Sequence, residues 1–503
     1  MAASKSPHIG IVGAGIAGLR CADILLKCGF QVTILEARDR IGGRMVQTTL
    51  PGGYRVDLGP NWIHGTEDNP ISELANKTGT LVHSWDAKDL FFETGKHMGQ
   101  AGIDLSEEMW NIVLKAFKYS EENCATIDPN ESLYDFFQQK LHEVYPNPDD
   151  EDMRNALLQL AELWGAIVGE PASKQSLKYF WLEECVDGPN VFCAGTYENI
   201  LARIAEPALK KAEIRLSTLI KGFESEGKDG TTLITENGNS LKFDEVVVTS
   251  PLGWLKKNTQ AFNPPLPERF VQAVDSIGYG CLEKVYVTFP RAFWQNQANP
   301  SSNSFSGFVQ WLAPDYSPSA NPKRWGVEGV LLSDIPEGRA MPTVLFYIFG
   351  DQSRAFGADL AGLKTEKERT DYLVKYFQPY YSLLPNYSES SLDCIPESCL
   401  ATTWINDELA GNGSYSNFQV GLKEGDKDIE IMREGLPERS LWFAGEHTSP
   451  FVALGTVTGA YWSGEAVGQR IAKAYGKSVD GLQDPNNIDT LGHKDPKEIN
   501  AKL

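Results

Sequence analysis

Residues 8–44 read HIGIVGAGIAGLRCADILLKCGFQVTILEARDRIGGR, and this stretch decides the fold. An apolar run (Ile9, Ile11, Val12) meets Gly13, Gly15 and Gly18 in the spacing G-x-G-x-x-G. An amphipathic stretch follows from Ile16 to Lys27, and a second apolar run, Val32 to Leu35, ends in Glu36. The order predicts strand, tight turn, helix and strand, which is the unit that binds a dinucleotide. Gly13 permits the turn, Gly15 leaves bare backbone for a pyrophosphate, and Gly18 lets helix and strand approach. The helix N-terminus offers unpaired N–H groups to the phosphates. Glu36 stands where an acid accepts ribose hydroxyls.

The residues after Glu36 narrow the choice of dinucleotide. Arg38, Gly42, Gly43 and Arg44 place two arginines around a glycine pair, and guanidinium groups neutralise phosphate by bidentate contacts. The string EARDRIGGR (36–44) resembles the signature of FAD-binding amine oxidases. Motifs at 9–44, 57–70, 246–256, 262–294 and 404–472 follow in the order of the monoamine and polyamine oxidase family. The stretch 95–210 resembles it least.

Composition bounds the reading. A chain of 503 residues has length for two or more domains, and 42% hydrophobic with 22% charged residues places it among globular proteins. A net charge of −21 disfavours nucleic acid and anionic membranes as partners and favours cationic substrates. The eight cysteines form no C-x-x-C pair, so no metal centre is expected and the thiols read as reduced and intracellular. No apolar run reaches the roughly 18 residues that span a bilayer. The final Ala501-Lys502-Leu503 is similar to the peroxisomal S-K-L address, which predicts a peroxisomal location and an import receptor as partner.

Along the chain, Gly52 to Pro70 reads as an irregular loop, and 105–168 shows helical periodicity with Ser132 as a cap. From Ile214, alternation and the Asn237-Gly238 turn predict a β-meander. Residues 260–395 predict a mixed sheet, Leu441 to Ala444 a buried strand, and Gly455 to Ala472 a helix. The expected fold class is α/β: a Rossmann-like FAD-binding domain with a mixed α+β substrate domain, the two-domain flavoprotein architecture of amine oxidases. The expected FAD-binding segments are 1–90, 211–260 and 399–476. The substrate domain takes 91–210 and 261–398, and 477–503 forms a tail.

The resemblance also implies roles. Lys284 matches the family lysine that holds a water against flavin N5, and its ammonium can stabilise charge on reacting oxygen. Trp404 and Tyr415 match aromatic residues lining the flavin face where the amine approaches. The family's second cage aromatic falls at Thr456, which predicts a wider channel. Ser414 replaces the cysteine that tethers flavin in monoamine oxidases, so FAD is expected to be held non-covalently. His64 matches a channel-facing histidine able to assist deprotonation of an amine (ordinary values ~6.5 and ~10.4). Ile220 matches a backbone contact to adenine and Glu446 an acid near the ribityl chain. Gly455 to Val457 open a helix whose positive end favours reduced flavin. Glu183 and Glu184 are candidate anchors for a second ammonium.

The implied reaction is hydride transfer from the carbon beside a neutral amine nitrogen to flavin N5, then hydrolysis of the imine and reduction of O₂ to H₂O₂. The substrate is expected to be a polyamine or a long-chain aliphatic amine. An L-amino-acid oxidase, a histone demethylase and a non-catalytic flavin-fold protein are the alternatives; the first needs an arginine for the carboxylate, which the sequence does not assign, and the second needs partner-binding insertions, which are absent.

Overall fold

The computed structural model describes residues 6–85, 90–183, 185–225, 230–295, 307–336 and 338–478. β1 (His8–Val12), α1 (Ile16–Lys27) and β2 (Gln31–Leu35) form as the glycine spacing predicts. β1 is the middle strand of a five-stranded sheet that recruits Glu245–Val248, Leu441–Phe443 and Glu213–Arg215, and every pair in it is parallel. The inner strands of this sheet are buried on both faces: Ile9, Ile11, Val32 and Ile34 pack with α1, and Val12, Leu35, Val246 and Val248 pack with Phe223, Leu233 and Phe243 and with the helical residues Phe270 and Ile429. The helix Val457–Ala474 crosses α1 so closely that a Cβ on Gly464 would fall 2.1 Å from Ala17 O.

The expected meander is present as an antiparallel set, Ile220–Glu224, Thr231–Thr235 and Ser240–Phe243. A second large sheet has seven strands in the order Ser398–Ala401, Leu282–Thr288, Thr343–Phe349, Val327–Leu331, Gly307–Leu312, Leu90–Glu93 and Lys96–His97. One face packs on the helical block at 100–168, through Leu282, Tyr286, Val330 and Leu345. The other packs on the helices Gly350–Gly362 and Glu366–Tyr381, through Val285, Val287 and Phe346. Ser132 caps Leu133–Val144 in a reciprocal capping box with Asp135.

Packing departs from several expected borders. The borders at 90/91 and 398/399 cut through the strands Leu90–Glu93 and Ser398–Ala401, which pair within the seven-stranded sheet. The helix Glu198–Lys211 was expected in the substrate domain, yet Ile200, Ile204 and Ala208 pack in the core around α1. Past the border at 260/261, Phe262–Asn263 pairs with Ile220–Glu224, and Phe270 joins the same core as Val246. The loop expected over Gly52 to Pro70 contains the short strands Arg55–Asp57 and Trp62–Ile63, each paired with a partner outside the stretch. An amphipathic segment reveals that it has a buried face, while the partner for that face is set by distant chain. Among the described residues no helix is long and apolar enough to cross a membrane. Glu184 and Ala501-Lys502-Leu503 lie outside the described residues.

Candidate active site

One cavity of about 1060 Å³ runs from the glycine turn of the parallel sheet to the face of the seven-stranded sheet. Its nucleotide end is built from backbone. Gly13 has φ +106°, a left-handed conformation that side chains disfavour, and a Cβ on Gly18 would meet Gly13 O at 2.1 Å. At Gly15 an added Cβ meets nothing within 4 Å, so this glycine reserves space on the cavity side. The buried Glu36 carboxylate accepts from Ala14 N at 2.7 Å and Arg38 N at 2.8 Å, which fixes the acid at the end of β2.

Charged groups from distant segments complete this half. Arg38 donates to both carboxylate oxygens of Asp407 at 2.9 Å. Arg44 donates to Ser414 O at 2.6 Å and to Glu446 Oε1 at 3.1 Å. Gly43, Ile220 and Val457 also line the cavity. Val457 begins the long helix, whose N-cap Thr456 accepts from Gly459 N at 2.9 Å. An open backbone cradle, a ribose-type acid and a helix N-terminus fit a dinucleotide with a flavin ring between the two sheets.

The other half is built from side chains. Lys284, in the strand Leu282–Thr288, donates from Nζ to Gly59 O. Burial pushes its pKa down, opposed by the Asp57 and Glu283 carboxylates. Burial pushes the Asp57 carboxyl up, and its oxygens accept from Gln47 Nε2 at 2.6 Å and Tyr197 N. Glu283 is fully buried and held by Thr402 Oγ1 at 2.6 Å and Ile405 N at 2.9 Å. Asp57 and Glu283 therefore oppose the effect of burial on Lys284, and no motif in the sequence singled them out.

Trp404 and Tyr415 line the same cavity. Trp404 Nε1 donates to Leu58 O at 3.2 Å and Tyr415 OH to Ile167 O at 2.6 Å, which pins both rings. His64 also lines the cavity, with Nδ1 buried and unpartnered among the described residues. Burial lowers its pKa to about 4, opposed by a hydrogen bond with the Asn190 side chain. Thr456 is at the wall, but its hydroxyl is engaged in the cap and in a bond to Ala453 O at 2.7 Å. Ser414 Oγ donates to Leu282 O and accepts from Leu282 N, each at 2.9 Å. Glu183 reaches the cavity, accepts from Trp164 Nε1 at 3.3 Å, and has its pKa raised to about 7 by burial. Among the described residues no group of three or more His, Cys, Asp or Glu is placed to hold a metal.

A dinucleotide cradle that shares one cavity with Lys284, Trp404 and Tyr415 is the arrangement of an oxidoreductase whose cofactor and substrate meet in one site. The flavin containing amine oxidoreductase family matches residues 16–472. Probable polyamine oxidase 4 of Arabidopsis thaliana is 30% identical over 502 residues, covering 97% of this chain and 92% of that one. Polyamine oxidase 4 of Oryza sativa subsp. japonica is 26% identical over 484 residues, covering 93% and 89%. A solved double mutant of putrescine oxidase, redesigned in its cofactor binding, superposes with a TM-score of 0.66 at 16% identity, covering 93% of this chain and 99% of that one. The chain belongs to the flavin containing amine oxidoreductases and is an FAD-dependent amine oxidase.

Proposed function

We propose that this enzyme oxidises a long-chain aliphatic amine or polyamine, with FAD held non-covalently and O₂ as the final acceptor. The observation that carries this reading is that Lys284, His64, Trp404 and Tyr415 line the same cavity as Gly15, Arg44 and Glu446. Bound FAD supplies the two-electron acceptor that takes a hydride from the carbon beside the amine nitrogen and passes the electrons to O₂, leaving an imine that hydrolyses and H₂O₂.

The chain's own groups do the rest. Trp404 and Tyr415 hold the amine and exclude water, and their ring faces attract it while it is still cationic. The amine must arrive neutral at its nitrogen, and His64, itself held neutral by burial, can accept a hydrogen bond from it. Lys284 Nζ, held by Gly59 O, is where a water can be held, and the Asp57 and Glu283 carboxylates favour its cationic form against burial, so that it can stabilise charge on reacting oxygen. Two arginines line the cavity among the described residues, Arg38 and Arg44, and each is paired with a carboxylate. Neither is left for an amino-acid carboxylate, which favours an amine over an L-amino acid.

The test is peroxide release scanned over polyamines, their acetylated forms, alkyl monoamines and L-amino acids. The reading predicts turnover of amines lacking a carboxylate, and turnover confined to amino acids would overturn it. Acid precipitation is expected to leave all flavin in the supernatant, because the Ser414 hydroxyl can form no thioether.

A further inference from the structure

The carboxylate of Glu283 favours the cationic form of Lys284, and its hydrogen bonds point to a second use. Glu283 is fully buried, does not line the cavity, and forms no salt bridge among the described residues. An apolar side chain of similar volume would avoid the desolvation that a buried carboxylate suffers, so the groups it binds matter. Alternation along the strand Leu282–Thr288 turns Lys284 to the cavity and Glu283 to the opposite face, with Val285 and Val287.

On that face Glu283 meets the chain as it leaves the edge strand Ser398–Ala401. The strands pair from Thr288–Ser398 to Val285–Ala401. One step further Thr402 N still donates to Lys284 O at 2.9 Å, but Lys284 N donates to the Thr402 hydroxyl instead of a carbonyl, also at 2.9 Å. Glu283 takes over where the ladder ends: Oε2 accepts from Thr402 Oγ1 at 2.6 Å and Oε1 from Ile405 N at 2.9 Å. The carboxylate thus grips the chain on both sides of Trp404. Below the turn, a Cβ on Gly357 would fall 2.3 Å from Ile405 Cγ2, and Asn406 Nδ2 donates to Gly357 O at 2.9 Å. The tips of the two cavity side chains end on neighbouring carbonyls, Trp404 Nε1 on Leu58 O at 3.2 Å and Lys284 Nζ on Gly59 O. Trp404 and Lys284 therefore belong to one closed circuit of bonds, joined at their tips by residues 58–59 and at their backbones by Thr402 and Glu283.

We propose that Glu283 is a positioning residue for amine oxidation: from behind the cavity wall, its carboxylate fixes the Trp404 ring relative to Lys284 and so places the amine for hydride transfer. The proposal rests on the reading of Trp404 as a wall of the amine site and deepens it. A charged acceptor makes shorter and stronger bonds than a neutral one, and it suits a turn that has to hold one place. Without those bonds the turn keeps its packing on Gly357, but the backbone of Trp404 is free to shift. A displacement of about 1 Å in a positioning group costs on the order of 100-fold in rate.

The experiment is a double-mutant cycle in holoenzyme, read as the limiting rate of flavin reduction without O₂ by the amine that peroxide release ranks first. Glu283→Leu is expected to lower this rate by about 10- to 100-fold with FAD still bound. Glu283→Gln keeps an acceptor oxygen for Ile405 N and should restore the rate to within about 3-fold of wild type. In a Trp404→Phe background, Glu283→Leu should cost less than about 3-fold, because its effect passes through that ring. If Glu283→Leu does not fold, Thr402→Val, which removes the hydroxyl bond to Glu283, takes its place in the same cycle with the same expected non-additivity. Equal fold losses in the two backgrounds, a Gln variant as slow as the Leu variant, or a folded Leu variant reduced at the wild-type rate would each overturn the positioning role. Wild-type flavin that no amine reduces would defeat the amine oxidase reading itself, and this proposal with it.

Discussion

The parallel sheet and the seven-stranded sheet face one cavity and meet it by different means. The parallel sheet offers bare backbone: Gly13 in a left-handed conformation, Gly15 beside open space, and Glu36 held by two backbone N–H groups. The seven-stranded sheet offers side chains, Lys284 among them, whose charge burial disfavours and the carboxylates of the distant Asp57 and the adjacent Glu283 favour. Backbone recognition is written in consecutive residues, whereas a side-chain site is written in strand register. The first half can carry one cofactor through many relatives, and the second is free to vary with substrate.

Substituting glycines separates fold from cofactor binding on the backbone side. Gly18→Ala drives a Cβ toward Gly13 O and should destabilise the protein by about 3 kcal/mol or more, read as a lowered Tm without added FAD. Gly15→Ala meets no protein atom within 4 Å. It is expected to leave that Tm in place and weaken FAD by about 10- to 100-fold in a flavin titration. Equal Tm losses in the two variants would break the distinction.

His447 follows Glu446, is fully buried, and has both ring nitrogens unpartnered among the described residues. Burial lowers its pKa to about 4. The folded state therefore binds fewer protons than the unfolded one between that value and ~6.5, so stability is unaffected above pH ~6.5. It falls as pH drops toward 4, by about 3 kcal/mol in full. Urea unfolding at several pH values checks this, and His447→Gln should flatten that part of the profile. His64, also lowered to about 4, stays neutral at assay pH. An acid limb of kcat/KM above pH ~6 then belongs to the substrate ammonium or to other groups, and His64→Gln should leave its midpoint in place.

On the side-chain half, Lys284→Met keeps the stem and removes the charge. Reoxidation by O₂ should slow by about 100-fold with anaerobic reduction less affected, as resolved by stopped-flow absorbance. Loss of FAD from this variant would place Lys284 in cofactor binding instead. The smallest effect is expected at Ser414→Ala, which breaks the two bonds to Leu282 and costs about 1–2 kcal/mol of stability.

How much was legible follows the same division. β1, α1, β2, the meander and the cap at Ser132 are local, and the sequence shows them because propensity, turn chemistry and packing agree there. Lys284, His64, Trp404 and Tyr415 were reached through a family resemblance, and the structure brings them to one cavity. The Arg44–Glu446 pair joins residues 402 apart, and Lys284 meets Gly59 O across 225, so neither contact leaves a trace in local pattern. The helix Glu198–Lys211 was assigned to the wrong partner for the same reason, since its apolar stripe would suit either core. Thr456 shows the reverse case: its place at the wall was legible, and the use of its hydroxyl as a helix cap was not.

The most direct test of amine oxidation mixes the yellow holoenzyme with a long-chain amine in the absence of O₂ and then admits O₂. The flavin absorbance is expected to bleach at a rate that saturates with amine, and O₂ to restore it with one H₂O₂ formed per flavin. Flavin that stays oxidised under every amine tested, while remaining bound to folded protein, would contradict it.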